Sequence, residues 1–131
     1  MLTGYIQDDK PIIPISVCVD QQVETIPALV DTGFTGELKM PAEIAAPLGI
    51  ATQAVKNIVF GNFESMSHGI GRADIAMEGL RKDVEVLVGR GPTIIGVKLL
   101  RKFGYTLKMD FVGNIFYLER IEDRDPFNTE E

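Results

Sequence analysis

Ala28-Leu29-Val30-Asp31-Thr32-Gly33-Phe34-Thr35-Gly36 is the stretch that decides how this 131-residue chain is read. An apolar run with strand character feeds directly into an acid, a hydroxyl and a glycine. A carboxylate delivered at the end of a buried strand is costly to desolvate, so it needs hydrogen bonds or a chemical task. Gly33 allows a tight turn that brings an amide N–H to the carboxylate, and Thr32 offers a hydroxyl to brace the loop. Asp-Thr-Gly alone is three common residues. Here a second apolar-apolar-glycine site, Ile94-Ile95-Gly96, follows 94 − 31 = 63 residues later.

Outward from that loop the chain reads as a succession of short strands. Residues 1–10 form a polar, weakly patterned lead-in. Ile13, Ile15, Val17 and Val19 alternate with polar or small residues, the period of a half-buried strand, and 23–30 returns as the strand that delivers Asp31. Pro14 cannot donate to a ladder and implies a free edge near the start of the first of these strands; Pro27 carries the same hint. Residues 37–40 read as a short strand. A brief helix is expected over 41–48, with Pro41 in its first turn and Gly49 just past its end.

Residues 55–59 and 64–77 flank a hairpin tip at Phe60-Gly61-Asn62-Phe63, the second strand broken by Gly69 and Gly71. A turn at Glu78-Gly79 leads to a strand over 82–88 and a loop over 89–92. Residues 93–95 then form a short buried strand, and 97–103 a helix stopped by Gly104. Leu107, Met109 and Phe111 mark a strand that Gly113-Asn114 turns back through 115–118. Many short strands with frequent turns point to a closed or sandwich-like β fold.

Composition narrows the function. The length fits one domain over residues 1–131, with an acidic tail at 119–131. The net charge of 13 − 19 = −6 disfavours a nucleic-acid partner, since phosphate binding needs a basic footprint. No apolar run approaches the roughly 18–20 residues that span a bilayer, and no secretory pattern opens the sequence, so a cytoplasmic protein without a membrane partner is expected. One cysteine, Cys18, leaves no internal disulfide and reads as a packing residue. His68, the single histidine, lacks companion ligands, so no metal site is expected.

Leu29-Val30-Asp31-Thr32-Gly33 resembles the catalytic motif of aspartic proteases. The run from Thr93-Ile94-Ile95-Gly96 to Phe103-Gly104-Tyr105-Thr106-Leu107 resembles the second signature of retroviral-type proteases (retropepsins). Asp-Thr-Gly-Phe-Thr-Gly is similar to the bacterial, non-viral branch of that clan, and the resemblance spans roughly residues 12–118. It implies a mainly β, retropepsin-like acid-protease barrel, a single lobe with one or two short helices that dimerises.

The resemblance makes Asp31 the catalytic residue of an aspartic endopeptidase that needs no metal or cofactor. Asp20, Asp74, Asp83 and Asp110 are not followed by Thr-Gly or Ser-Gly, so the second carboxylate is expected from a second copy across a two-fold axis. By the same resemblance Thr32 braces the paired loops, Gly33 helps accept the substrate backbone, and Ile94, Ile95 and Gly96 run behind the loop. Phe60, Gly61, Asn62 and Phe63 fit the place of the flap that closes over a peptide or protein substrate. The rival reading keeps this fold as a dimerisation or peptide-binding module with little or no hydrolysis. The intact Asp-Thr-Gly favours the enzyme, because a pure binding module has no need of a mutually repelling acid pair.

Overall fold

The structure, a computed structural model, describes residues 1–59 and 65–121, and for 54–59 and 65–67 it describes the backbone alone. Two hairpins begin its larger sheet. Strand β2 (Tyr5–Gln7) turns through Asp8-Asp9 into β3 (Lys10–Val19), which turns through Asp20-Gln21 into β4 (Gln22–Val30). Asp8 and Asp9 have φ values of 51° and 61°, the pair of left-handed residues that a type I′ hairpin demands. Short polar side chains tolerate that conformation, which is why an Asp-Asp pair turns the chain here.

The two prolines face each other, Pro14 opposite Pro27. Leu29 N–H points away from β3, to the carbonyl of Thr93. Counting back by two, Pro27 therefore sits in a non-hydrogen-bonded pair, where neither proline removes a rung of the ladder. On its other side Pro14 lies between the β2 pairing, which stops at Ile12, and a pairing with β7 (Ser65–Met77) that begins at Ser16. The expected free edge is this gap.

The remaining strands are β5 (Leu38–Pro41), β6 (Ala54–Val59), β7 (Ser65–Met77), β8 (Leu80–Gly89) and β9 (Ile94–Ile95), in sheet order β2-β3-β4-β9-β5-β8-β7-β6. Because β3 also pairs with β7, Val17 opposite Ile75, the sheet curls back on itself. Its inner face is the main core: Ile13, Ile15 and Val17 from β3, Ile26, Ala28 and Val30 from β4, then Leu38, Met40, Ile75, Val84, Val86 and Ile95. Each valine, leucine, isoleucine or methionine among them contributes about 1.5–3 kcal/mol on burial.

Two short helices close the ends. α1 (Ala42–Leu48) follows Pro41, and Gly49 at φ 83° terminates it. The amides of Gly49 and Ile50 donate to Ala46 and Ala45, which satisfies two of the carbonyls in the last turn of α1. α2 (Val97–Lys102) buries Leu99 and Leu100 and ends one residue before Phe103, ahead of Gly104 at φ 72°. A second, three-stranded sheet has the order β1-β11-β10, from β1 (Leu2–Thr3), β10 (Tyr105–Asp110) and β11 (Ile115–Arg120). Leu2 pairs with Leu118, and Phe116 and Leu118 carry this sheet into the core.

Three expectations are corrected. The lead-in is not unpatterned: residues 2–7 supply one strand to each sheet. Gly69 and Gly71 do not break β7, because Thr52 and Ile50 pack over them where a side chain would stand. Phe111 lies in the β10–β11 turn and is 64% exposed. Among the described residues no helix is long and apolar enough to cross a membrane.

Candidate active site

Strand β4 ends at Val30, and Asp31 stands just beyond it, half-buried. Its backbone is held by β9, which runs parallel to β4: Leu29 N–H donates to Thr93 O at 2.9 Å and Asp31 N–H to Ile95 O at 3.0 Å. The turn closes with Phe34 N–H on Asp31 O at 3.1 Å. The carboxylate accepts the Gly33 amide, N to Oδ1 2.8 Å. Thr32 and Gly33 are exposed beside it.

The far side of the loop is held by the segment that leaves β9. Gly96 N–H donates to Glu37 O, Val97 N–H to Phe34 O and Lys98 N–H to Gly36 O, at 3.0, 2.9 and 3.2 Å. A Cβ on Gly96 would sit 2.3 Å from the Gly36 carbonyl and 2.5 Å from that of Phe34. Only glycine allows this approach. Glu37 ties down the end of the loop, accepting the Glu85 amide at 2.9 Å and pairing with Lys102 at 2.5 Å. Asp31, Thr32, Gly33, Ile94, Ile95 and Gly96 are thus brought together from positions 63 residues apart. Phe60, Gly61, Asn62 and Phe63 lie outside the described residues.

Period-two alternation places Leu29 and Asp31 on the same, outer face of the sheet, while Val30 faces the core. The register carries that outer face across neighbouring strands as a row: Leu29 beside Ile94, Ile94 beside Lys39, Lys39 beside Leu87 and Leu87 beside Ile70. Phe34, Leu87 and Ile94 form a second apolar cluster there, with Leu29 and Ile70 packed against it.

Lys39 is the residue that sequence reasoning missed. Leu38-Lys39-Met40 has the pattern of a strand with one solvated face, yet Lys39 is only 3% exposed. Its Nζ donates to the carbonyl of Arg90, in the loop before β9. Burial pushes the ammonium below the usual lysine pKa. No local signal in the sequence reveals this, because the cover over the outer face comes from distant segments. His68 is likewise buried, with its ring against Gly89. Among the described residues no three His, Cys, Asp or Glu side chains gather as metal ligands.

No protein-family model and no curated protein matches this sequence. Solved structures do. A retropepsin-like aspartic protease from Rickettsia conorii superposes with a TM-score of 0.68 at 19% identity, over 92% of this chain and 89% of that one. The EIAV protease in complex with the inhibitor HBY-793 superposes with a TM-score of 0.62 at 16% identity, over 80% of this chain and 98% of that one. At such identities the likeness shows the fold: this chain is mainly β and retropepsin-like.

Proposed function

We propose, with the retropepsin-like fold as premise, that this chain is an aspartic endopeptidase whose acid dyad is completed by Asp31 of a second copy. One observation carries the reading. A carboxylate at the end of a core strand is held by the Gly33 amide in a loop cradled on both sides by β9 and the residues after it. The loop holds the carboxylate in a fixed position while leaving it open to solvent, where a substrate can reach it.

Two carboxylates about 3 Å apart cannot both ionise, so the pair shares a proton. The ionised partner takes a proton from a trapped water as its oxygen bonds to the scissile carbonyl carbon, and the protonated partner gives its proton to the carbonyl oxygen. Collapse of the tetrahedral intermediate breaks the C–N bond, with a proton passing to the departing amine. Thr32 of each copy braces the paired loops, and Phe60 to Phe63 close over an extended peptide in the groove between subunits. The enzyme works as a cytoplasmic homodimer without metal or cofactor.

The test is incubation of the purified protein with a mixed peptide library, with and without a statine-type transition-state mimic, across a dilution series. Cleavage that the mimic blocks, that Asp31→Asn abolishes and that falls on dilution supports the dimeric enzyme. Peptide binding without cleavage would identify a binding module instead.

A further inference from the structure

We infer that the Phe34 ring determines specificity, filling the space beside Asp31 so that only a small substrate side chain, glycine, alanine or serine, fits next to the scissile bond. This rests on the peptidase reading above and adds the substrate class to it.

The ring belongs to the outer-face cluster, packed on Leu87 and Ile94, and it is only 6% exposed. That face also carries Asp31, so a peptide strand laid across the carboxylate directs alternate side chains down onto it. What remains open there is the half-buried surface of Leu29 and Ile70. The cluster would offer a bulky side chain a pocket if the residue after Asp-Thr-Gly were small. Here that room is already occupied by the protein's own aromatic.

The ring is also held in place. A Cβ on Gly36 would lie 2.4 Å from Phe34 Cζ, and one on Gly96 would lie 2.7 Å from Cδ2. Two glycine backbones therefore clasp the ring, and aliphatic side chains support it. Its own backbone is fixed at both ends, the amide on Asp31 O and the carbonyl under Val97 N–H. A side chain gripped in this way does not swing aside for a substrate, so the restriction is built in. The two-fold axis of the proposed dimer puts one copy of the ring on each side of the scissile bond, and the preference for small residues should appear on both sides.

The experiment is cleavage-site profiling with a library of unstructured peptides, for the wild-type protein, Asp31→Asn, Phe34→Ala and the gentler Phe34→Leu. The wild type should favour Gly, Ala or Ser over Leu or Phe by about ten-fold or more in kcat/KM at positions flanking the cleaved bond, the discrimination a filled pocket affords. Phe34→Ala should lose or invert that preference by a similar factor, with Phe34→Leu intermediate and serving as the reading if the alanine variant fails to fold. A merely structural ring predicts something else, a uniform loss of activity on every peptide with the profile unchanged, and that result would overturn the inference. So would a wild type that cleaves beside Leu or Phe as readily as beside Ala, while leaving the peptidase reading intact. A wild type that cleaves nothing sinks both.

Discussion

Two rows of residues cross the same strands of this molecule, one position apart in register, and they have little in common. The inner row, Val30, Ile95, Leu38 and Val86, is aliphatic and buried in the core. The outer row, Leu29, Ile94, Lys39 and Leu87, is partly covered, contains a buried ammonium and begins two residues before Asp31. A one-residue step exchanges one face for the other, so identical backbone pairing supports both. The inner row is core packing, while the outer row shares the face of the sheet that carries Asp31.

The sharpest way to separate the rows is Asp31→Asn. Hydrolysis should fall by about 10²–10⁴-fold, the span of a lost acid–base group, while the melting temperature stays close to that of the wild type. A peptide-cleavage assay beside a thermal melt decides it, and a large drop in melting temperature would mean that Asp31 belongs to the packing.

Leu38→Ala tests the inner row. The side chain is fully buried, and its truncation should cost about 2–5 kcal/mol in denaturant unfolding, whatever happens to activity. If it proved as mild as a surface change, the inner row would not be the core.

Lys39→Met is expected to shift stability at neutral pH by no more than about 1–2 kcal/mol. It removes a buried charge that is costly to desolvate, and also that charge's bond to Arg90 O. The pH dependence is more telling. Lys39 has a folded-state pKa below its unfolded value, so between the two the unfolded chain binds more protons and stability rises with pH. Urea titrations at alkaline pH should show this rise up to the ordinary value of 10.5 in the wild type and lose it in Lys39→Met.

The smallest effect lies two residues farther along the outer face, where the cover ends. Arg72 Nη2 and Asp83 Oδ2 are 2.6 Å apart with both side chains more than half exposed. The hydrogen bond from Arg72 holds the Asp83 carboxyl below the usual aspartate value. Its contribution is therefore present above that usual value and is lost as pH falls through the lowered one. Arg72→Ala should cost about 0.2–1 kcal/mol at neutral pH, less in high salt and nothing in strong acid. A larger cost would show that the covered region extends past Ile70.

How much of this could be read in advance depends on how local each signal is. The Asp31-Thr32-Gly33 turn, the glycine after α1 and the Glu78-Gly79 hairpin are settled by neighbours in sequence, and each stands where the residues put it. Residues 2–7 were opaque because they find their partners in β3 and in β11, the latter at the opposite end of the chain. Lys39 was opaque for a related reason. Whether a polar residue in a strand meets water depends on what covers the sheet, and here its ammonium meets a loop some fifty residues on. Phe34 could be seen as a bulky residue after a glycine turn, but its clasp between Gly36 and Gly96 needed the register of β9.

The pairing of Leu2 with Leu118 also sets a timetable. The two residues are 118 − 2 = 116 positions apart, so β1 cannot dock until almost all of the described chain has left the ribosome. At about 5–20 residues per second, the first strand waits roughly 6–23 seconds for its partner. Such distant contacts place the chain among slow folders, with relaxation in milliseconds to seconds once synthesis is complete. The small sheet is the last piece to form on a nascent chain, after the strands that hold Asp31 have had time to find one another.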